Sequence, residues 1–315
     1  MKNALLISGI GGLLLAILSP IQAHMGDRVV RIPELTDEDL EWIDLNDGST
    51  VDWQEVIGDP ILTAQDFATS EAGAAYDPTD LEYRIWMGWH GKSNRIYAAM
   101  EKVDDEYVGY IKDYLPEEDM YYAMQSDSGV QFLVDGDHSG GEFIPNAEGR
   151  GPEELMFLYN KEAQYFMAAS EPDRNFEGVG IFQGGGFLYR DDWFHIPPLA
   201  AMGGGSFGEH PTVVVTEFYV TPFDFLVPDS PELTEISDLK AGQVIGFEMR
   251  VFDFDGKSGG VESSFKSLHG FPVRLGPMGD ADRFVDAILV DALGRVLEDT
   301  AVEDATWARI KASFR

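Results

Sequence analysis

The chain has 315 residues, 44% of them hydrophobic, which suffices to bury a large core. It carries 56 acidic against 22 basic residues, a net charge of −34, and a field of that sign excludes nucleic acid and anionic membranes as partners. There is no cysteine, so disulfide staples are excluded and stability must come from core size or bound ions. The same field draws in cations, and a salt-adapted habitat gives the same composition.

Residues 1–23 read as a cleaved Sec-type signal peptide. Lys2 gives a positive start, Ala4–Leu18 is an apolar run broken by glycines, and Ile21-Gln22-Ala23 resembles a small-residue cleavage site before His24. The run falls short of the roughly 20 residues that span a bilayer. No cysteine stands at the cut for a lipid anchor, and no later segment is apolar enough to cross a membrane. With Lys2 removed, the mature chain has 21 basic and 56 acidic residues, a net charge of −35. The expected location is secreted, periplasmic or cell-surface, in a bacterial setting.

Asp27–Pro33 predicts a short first strand, and Leu35–Trp42, acidic with Thr36 as a cap, predicts a helical turn. In Ile43–Trp53, IDLNDGSTVDW, Asp47-Gly48 is a turn and Asp52-Trp53 returns an aromatic toward the core. Residues 58–80 are loop-like. The clearest statement in the chain is Leu81–Asp105, LEYRIWMGWHGKSNRIYAAMEKVDD, which predicts a β-hairpin. Tyr83, Ile85, Met87 and Trp89 point one way, while Arg84, Trp86, Gly88 and His90 point the other. Gly91–Asn94 is turn chemistry, Arg95–Val103 is the second strand, and Asp104–Asp105 closes it. Parity puts the Trp89 face in the core and Trp86 on the opposite face.

Beyond the hairpin, Glu106–Met124 is acidic and aromatic and fits either a helix or a long loop. Gly129–Asp135 is a strand, and Leu155–Ala169 a possible strand pair. Residues 142–211 read as a long loop-rich insertion, in which Gly184–Gly186 and Gly203–Gly205 bracket Asp191-Asp192-Trp193 and predict a surface lid or ridge. Thr212–Thr221, Gln243–Asp255 and Asp286–Asp291 are late strands, and Trp307–Phe314 is open between strand and helix. The pattern predicts an all-β fold with little helix, an antiparallel, jelly-roll-like β-sandwich forming a single domain over 24–315.

At the end of a strand, Asp135, Asp137 and Ser139 fit the opening half of a calcium loop, with oxygens at alternate positions and glycine turning the chain. Asn146 stands where an EF-hand needs its twelfth-position acid, so this is a strand-end loop; the alternative is an acidic turn without an ion. Asp104 and Asp105 are candidates for the same ion-binding rim. A second echo, Asp253–Gly260, has Lys257 where a ligand should be. Carbohydrate recognition needs aromatic faces and polar groups, for which Trp86, Trp193 and Tyr97, with Arg84 and His90, are the candidates; Trp89 is assigned to the core. The six histidines are scattered without zinc spacing. No nucleophile elbow or phosphate loop is present, and acidic pairs such as Glu117–Glu118 and Glu153–Glu154 have no specificity in so acidic a chain, so no enzyme is predicted.

Asp47, Gly48, Asp52 and Trp53, followed by Gly88–His90, Arg95–Ala99 and Asp104–Asp105, form a pattern of short motifs that resembles the family 9 carbohydrate-binding modules and their wider haem- and sugar-binding sandwich superfamily. Thr212–Thr221, TVVVTEFYVT, and Gly242–Asp255 are similar to the late strands of that group. The resemblance implies an exported, non-catalytic carbohydrate-binding protein stabilised by calcium, with a polysaccharide or glycan as partner. It also implies an alternative, a b-type haem electron carrier, since relatives hold haem between Met and His or Lys and the chain has 11 methionines. A third reading is a cell-surface structural or assembly protein that self-associates.

Overall fold

A computed structural model describes residues 29–67, 69–70, 77–107, 127, 129–143, 149, 151, 161–171, 176–183, 186–188, 193–208, 210–253, 264–268 and 280–294. The expected signal peptide, the acidic aromatic stretch Glu106–Met124 beyond its first two residues, the Lys257 echo beyond Asp253 and the 307–314 tail lie outside these residues.

The chain begins with β1 (Val29–Pro33), two short helices, α1 (Asp37–Trp42) and α2 (Val51–Val56), and two brief strands, β2 (Leu62–Thr63) and β3 (Thr69–Ser70). The hairpin follows as β4 (Leu81–His90) and β5 (Arg95–Asp104), and then β6 (Val130–Asp135). Next come β7 (Gln164–Glu171), β8 (Phe176–Gln183), β9 (Gly186–Leu188), β10 (Ala200–Phe207) and β11 (Thr212–Val220). The last are β12 (Phe223–Phe225), β13 (Glu235–Ile236), β14 (Val244–Asp253), β15 (Ser264–Ser267) and β16 (Val285–Val290).

These strands make two large sheets. One runs β1-β16-β14-β6-β7-β8-β9, with β15 branching from β14 and β3 beyond it; the other runs β10-β11-β5-β4-β2. A small pair, β12–β13, stands apart. The pairings are antiparallel except at the edge, where β1 runs parallel to β16. The fold is thus an all-β sandwich, as the alternating patterns predict.

Alternation decides what fills it. Tyr83, Ile85, Met87 and Trp89 all lie in the main core, which they share with Ile245, Phe247, Met249 and Val251 of β14. The two layers meet ring to ring, with Phe132 of β6 edge-on to Phe218 of β11 at 5.5 Å between centroids. Fully burying a side chain of this kind contributes about 1.5–3 kcal/mol relative to leaving it exposed. Trp89 also spans the layers through its indole N–H, which donates to the Val290 carbonyl of β16 at 2.9 Å.

The stretch 142–211 departs from the loop-rich expectation. Its described residues include β7, β8, β9 and β10, and Phe166 and Ala168 of β7 are core residues. Glycines there concealed a strand: the run Gly203–Gly205 belongs to β10, paired with β11 along its whole length. Of Leu155–Ala169, the described part forms one strand, β7.

Candidate functional site

The outer face of the five-stranded sheet carries the hairpin's second set of side chains. Register places them in rows across β4, β5, β11 and β10: Gly88, Tyr97, Tyr219 and Ala201; then Trp86, Ala99, Glu217 and Gly203; then Arg84, Glu101, Val215 and Gly205. His90 and Arg95 stand opposite each other at the turn end.

This face is covered. Residues 35–57 fold over it and form a second apolar cluster, in which Leu35 and Trp53 pack with Trp86, Tyr97 and Ala99. Local sequence explains the cover's shape. Thr36 and Asp39 form a reciprocal capping box, with the Asp39 N–H donating to Thr36 Oγ1 at 3.2 Å and the Thr36 N–H to Asp39 Oδ2 at 2.7 Å, so α1 starts there. Asp44 and Asp47 accept from the N–H groups of Asn46 and Ser49, closing two tight turns before α2. The small row residues make room beneath: a Cβ on Gly88 would lie 2.5 Å from Leu35 Cγ, and one on Gly203 only 1.8 Å from the Leu45 carbonyl oxygen.

The cover closes the platform expected at Trp86. Its ring lies outside the main core, as parity predicts, but is only 1% exposed, with its N–H donating to the Gly58 carbonyl at 3.0 Å. Tyr97 is buried, its ring 5.2 Å from that of Tyr219, and the Arg95 guanidinium lies 4.6 Å over Tyr219. His90 is buried too, bonded through Nδ1 to Ser93 Oγ at 2.8 Å, with Nε2 3.2 Å from Asp37. Arg84 stays half-exposed, paired with Glu101. Trp193 belongs to another cluster, edge-on to Phe194 and Phe223, with its N–H on the Pro228 carbonyl at 2.9 Å. Four of the five carbohydrate candidates therefore share one face, and Trp193 does not join them.

The expected ion rim also divides. Asp104 is buried at the far end of β5, 2.9 Å from the ammonium of Lys102, which also meets Asp127 at 3.0 Å and the Phe252 carbonyl at 2.9 Å. Burial pulls the Lys102 ammonium down, but Asp127 and Asp104 outweigh it and hold it above its ordinary value. Asp135 pairs with Gly246, at the opposite end of β14 from Phe252. Six residues of strand at ~3.4 Å each separate the two ends by ~20 Å, too far for one ion. Asp105 is exposed beside Asp104. In the 135–139 loop, Asp135 accepts from the N–H groups of Ser139 and Gly140 at 3.2 and 2.7 Å, and Asp137 from Ser139 at 3.1 Å. Burial, then the neighbouring Asp135, pushes Asp137 up to about 6. The methionines that the haem alternative draws on include Met87, Met100 and Met249, whose thioethers are in the main core.

A different acidic group converges on the outer face. Asp47, Asp52 and Glu217 each bring a carboxylate oxygen within 4.8 Å of the others. Glu217 is fully buried; its Oε1 accepts from the Trp53 indole at 2.8 Å, while its Oε2 has no hydrogen-bond partner. Burial, and beyond it the charges of Asp52, Asp47 and Asp44, push Glu217 up to about 8 against the pull of the Trp53 hydrogen bond. Two exposed rings flank the cover in the chain or in space. Trp42 closes α1 two residues before Asp44 and is 66% exposed, and Phe207 of β10, 51% exposed, lies over Gly48. Neither aromatic stood out in the sequence, because both fall outside the hairpin. The signal for Glu217 was the lone acid in the run TVVVTEFYV, whose parity aims it outward.

No known protein family matches the sequence, and no curated protein matches it. Among solved structures, the chain is similar to a family 9 carbohydrate-binding module from Caldicellulosiruptor kristjanssonii in complex with cellotriose. Identity is 10%, the TM-score is 0.46, and the match covers 84% of this chain and 94% of that one. The complex of a module of the same family and organism with glucose gives 11% identity and a TM-score of 0.46, covering 84% and 96%. The sandwich described above is defined by its own strand pairing.

Proposed function

We propose that the chain is an exported, non-catalytic carbohydrate-binding protein stabilised by calcium. The observation that carries this reading is the pair of solvent-facing rings, Trp42 and Phe207, beside the acceptor-rich turns of residues 44–49. An exposed aromatic face stacks on the apolar face of a sugar ring, and adjacent carboxylate and amide oxygens accept from its hydroxyls. The motif resemblance of Asp47–Trp53 and the hairpin points the same way. Trp86, Tyr97 and His90 then serve as the floor beneath the cover, and Arg84 as a half-exposed polar contact at its edge. The leader pattern in residues 1–23 supports export.

Polysaccharide pull-down tests the reading. Wild type is retained by at least one glycan, and Trp42→Ala or Phe207→Ala lowers retention by ~10-fold or more, the loss of about 1.4 kcal/mol of contact. Trp193→Ala, in the cluster with Phe194 and Phe223, leaves retention in place. Full retention by a doubly substituted Trp42→Ala/Phe207→Ala protein overturns the assignment of the rings.

A further inference from the structure

Resting on the calcium-stabilised reading above, the geometry points to a calcium site formed by Asp47, Asp52 and Glu217, which pins the cover of residues 44–53 to the outer face of the five-stranded sheet. Calcium binds oxygen ligands at 2.3–2.6 Å, so two ligands on one ion lie at most about 5 Å apart. The three carboxylates meet that limit, each offering an oxygen within 4.8 Å of the others. All three ligands are oxygens, the donor set of a hard cation and unsuited to softer metals.

Proximity of acids is not the whole argument. Glu217 projects from the middle of β11 and is fully buried, and its Oε2 has no partner while its Oε1 is fixed by Trp53 at 2.8 Å. A buried carboxyl oxygen without a hydrogen-bond partner is costly, and a facing cation would satisfy it as the carboxylate. Among the described residues, no Lys, Arg or His pairs with any of the three carboxylates. Backbone donors hold the two aspartates in place: both Asp52 oxygens accept, from the N–H groups of Asp44 and Trp53 at 2.9 and 2.8 Å, and Asp47 accepts from Ser49 at 2.8 Å. More oxygen lies close by, because the Leu45 carbonyl and Asn46 Oδ1 come within 1.8 and 3.0 Å of where a Cβ on Gly203 would stand, and Gly203 is the strand partner of Glu217. A loop that presses its oxygens onto a glycine beside a buried carboxylate is built as a cradle, and an ion in it would join two segments far apart in the chain.

The test uses the mature protein, stripped with chelator, and no sugar, so its outcome is separate from that of the glycan assays. Terbium serves as the calcium probe, with the Trp53 indole beside Glu217 as antenna, and calcium is then added in competition. In wild type, terbium emission rises, calcium displaces it, and calcium raises the thermal midpoint. In Glu217→Gln, which keeps the acceptor for Trp53 and removes the buried charge, the protein stays folded in chelator and calcium affinity drops at least ~10-fold, because ligand charge sets affinity at such sites. Asp137→Asn, in the separate 135–139 loop, leaves the terbium response unchanged. Absence of any calcium response in wild type, its persistence in folded Glu217→Gln, or its loss in Asp137→Asn instead, overturns the assignment.

Discussion

The Trp53 indole N–H donates to Glu217 Oε1 at 2.8 Å, a fully buried hydrogen bond between residues 164 positions apart. It ties the helical cover to the sheet beneath, together with the Thr50 hydroxyl, which donates to Glu101 Oε2 at 3.0 Å. Trp53→Phe removes the donor and leaves a buried carboxylate with neither oxygen satisfied by a hydrogen bond. Chemical denaturation should show a loss of at least ~1–3 kcal/mol, the cost of a buried unsatisfied polar group. A Trp53→Phe protein as stable as its parent contradicts this role.

Gly203→Ala tests the fit of the cover directly. The new Cβ would fall 1.8 Å from the Leu45 carbonyl oxygen, so backbone has to move. Overpacking of this kind costs ~1–3 kcal/mol. Displacing the 44–53 segment also wets Trp53 and Trp86, which are buried in the native protein, and tryptophan emission should shift to the red. Unchanged emission and midpoint would show that the cover does not depend on that contact.

At the other end of the sheet, Lys102 bridges Asp104 and Asp127 in full burial. Lys102→Met should destabilise by ~3–5 kcal/mol, because removing one partner of a buried ion pair leaves uncompensated charge. Adding Asp104→Asn and Asp127→Asn should restore part of the loss. Urea titration of the single and triple variants measures both; equal stability of the two variants contradicts the account.

His195 supplies a pH dependence with a definite sign. Its ring lies 4.1 Å from Phe194, both nitrogens are buried without hydrogen-bond partners, and burial pushes its pKa down to about 3. Between about 3 and 6.5 the unfolded chain binds a proton that the native chain refuses, so stability falls as pH drops through that window. The slope approaches ~1.4 kcal/mol per pH unit well below the ordinary histidine value. In His195→Phe this component is absent, and midpoints measured from pH 7 to pH 4 should fall less steeply than in wild type. Parallel curves would show that His195 is protonated in the native state.

The hairpin was legible in the sequence because both strands alternate cleanly, and parity alone assigned Tyr83, Ile85, Met87 and Trp89 to the core. The capped start of α1 was equally legible in Thr36 and the acids after it. What parity does not report is what lies over an outer face. Trp86 was rightly set outside the main core, yet its burial depends on Leu35 and Trp53, which arrive from a segment whose second helix was read only as the return of an aromatic. Within 142–211, Gly203, which serves close approach to Leu45, looks like a loop residue when its partner is unseen. The convergence of Asp47 and Asp52 on Glu217 is likewise a product of register, and no local motif spans it.

Carbohydrate binding is tested most directly by a glycan array probed with the mature wild-type protein in calcium, followed by titration of the best glycan against Trp42→Ala and Phe207→Ala. The account predicts saturable binding to at least one glycan and its loss in both variants. Absence of binding to every plant, algal and bacterial glycan, by a protein shown to be folded and calcium-replete, contradicts it.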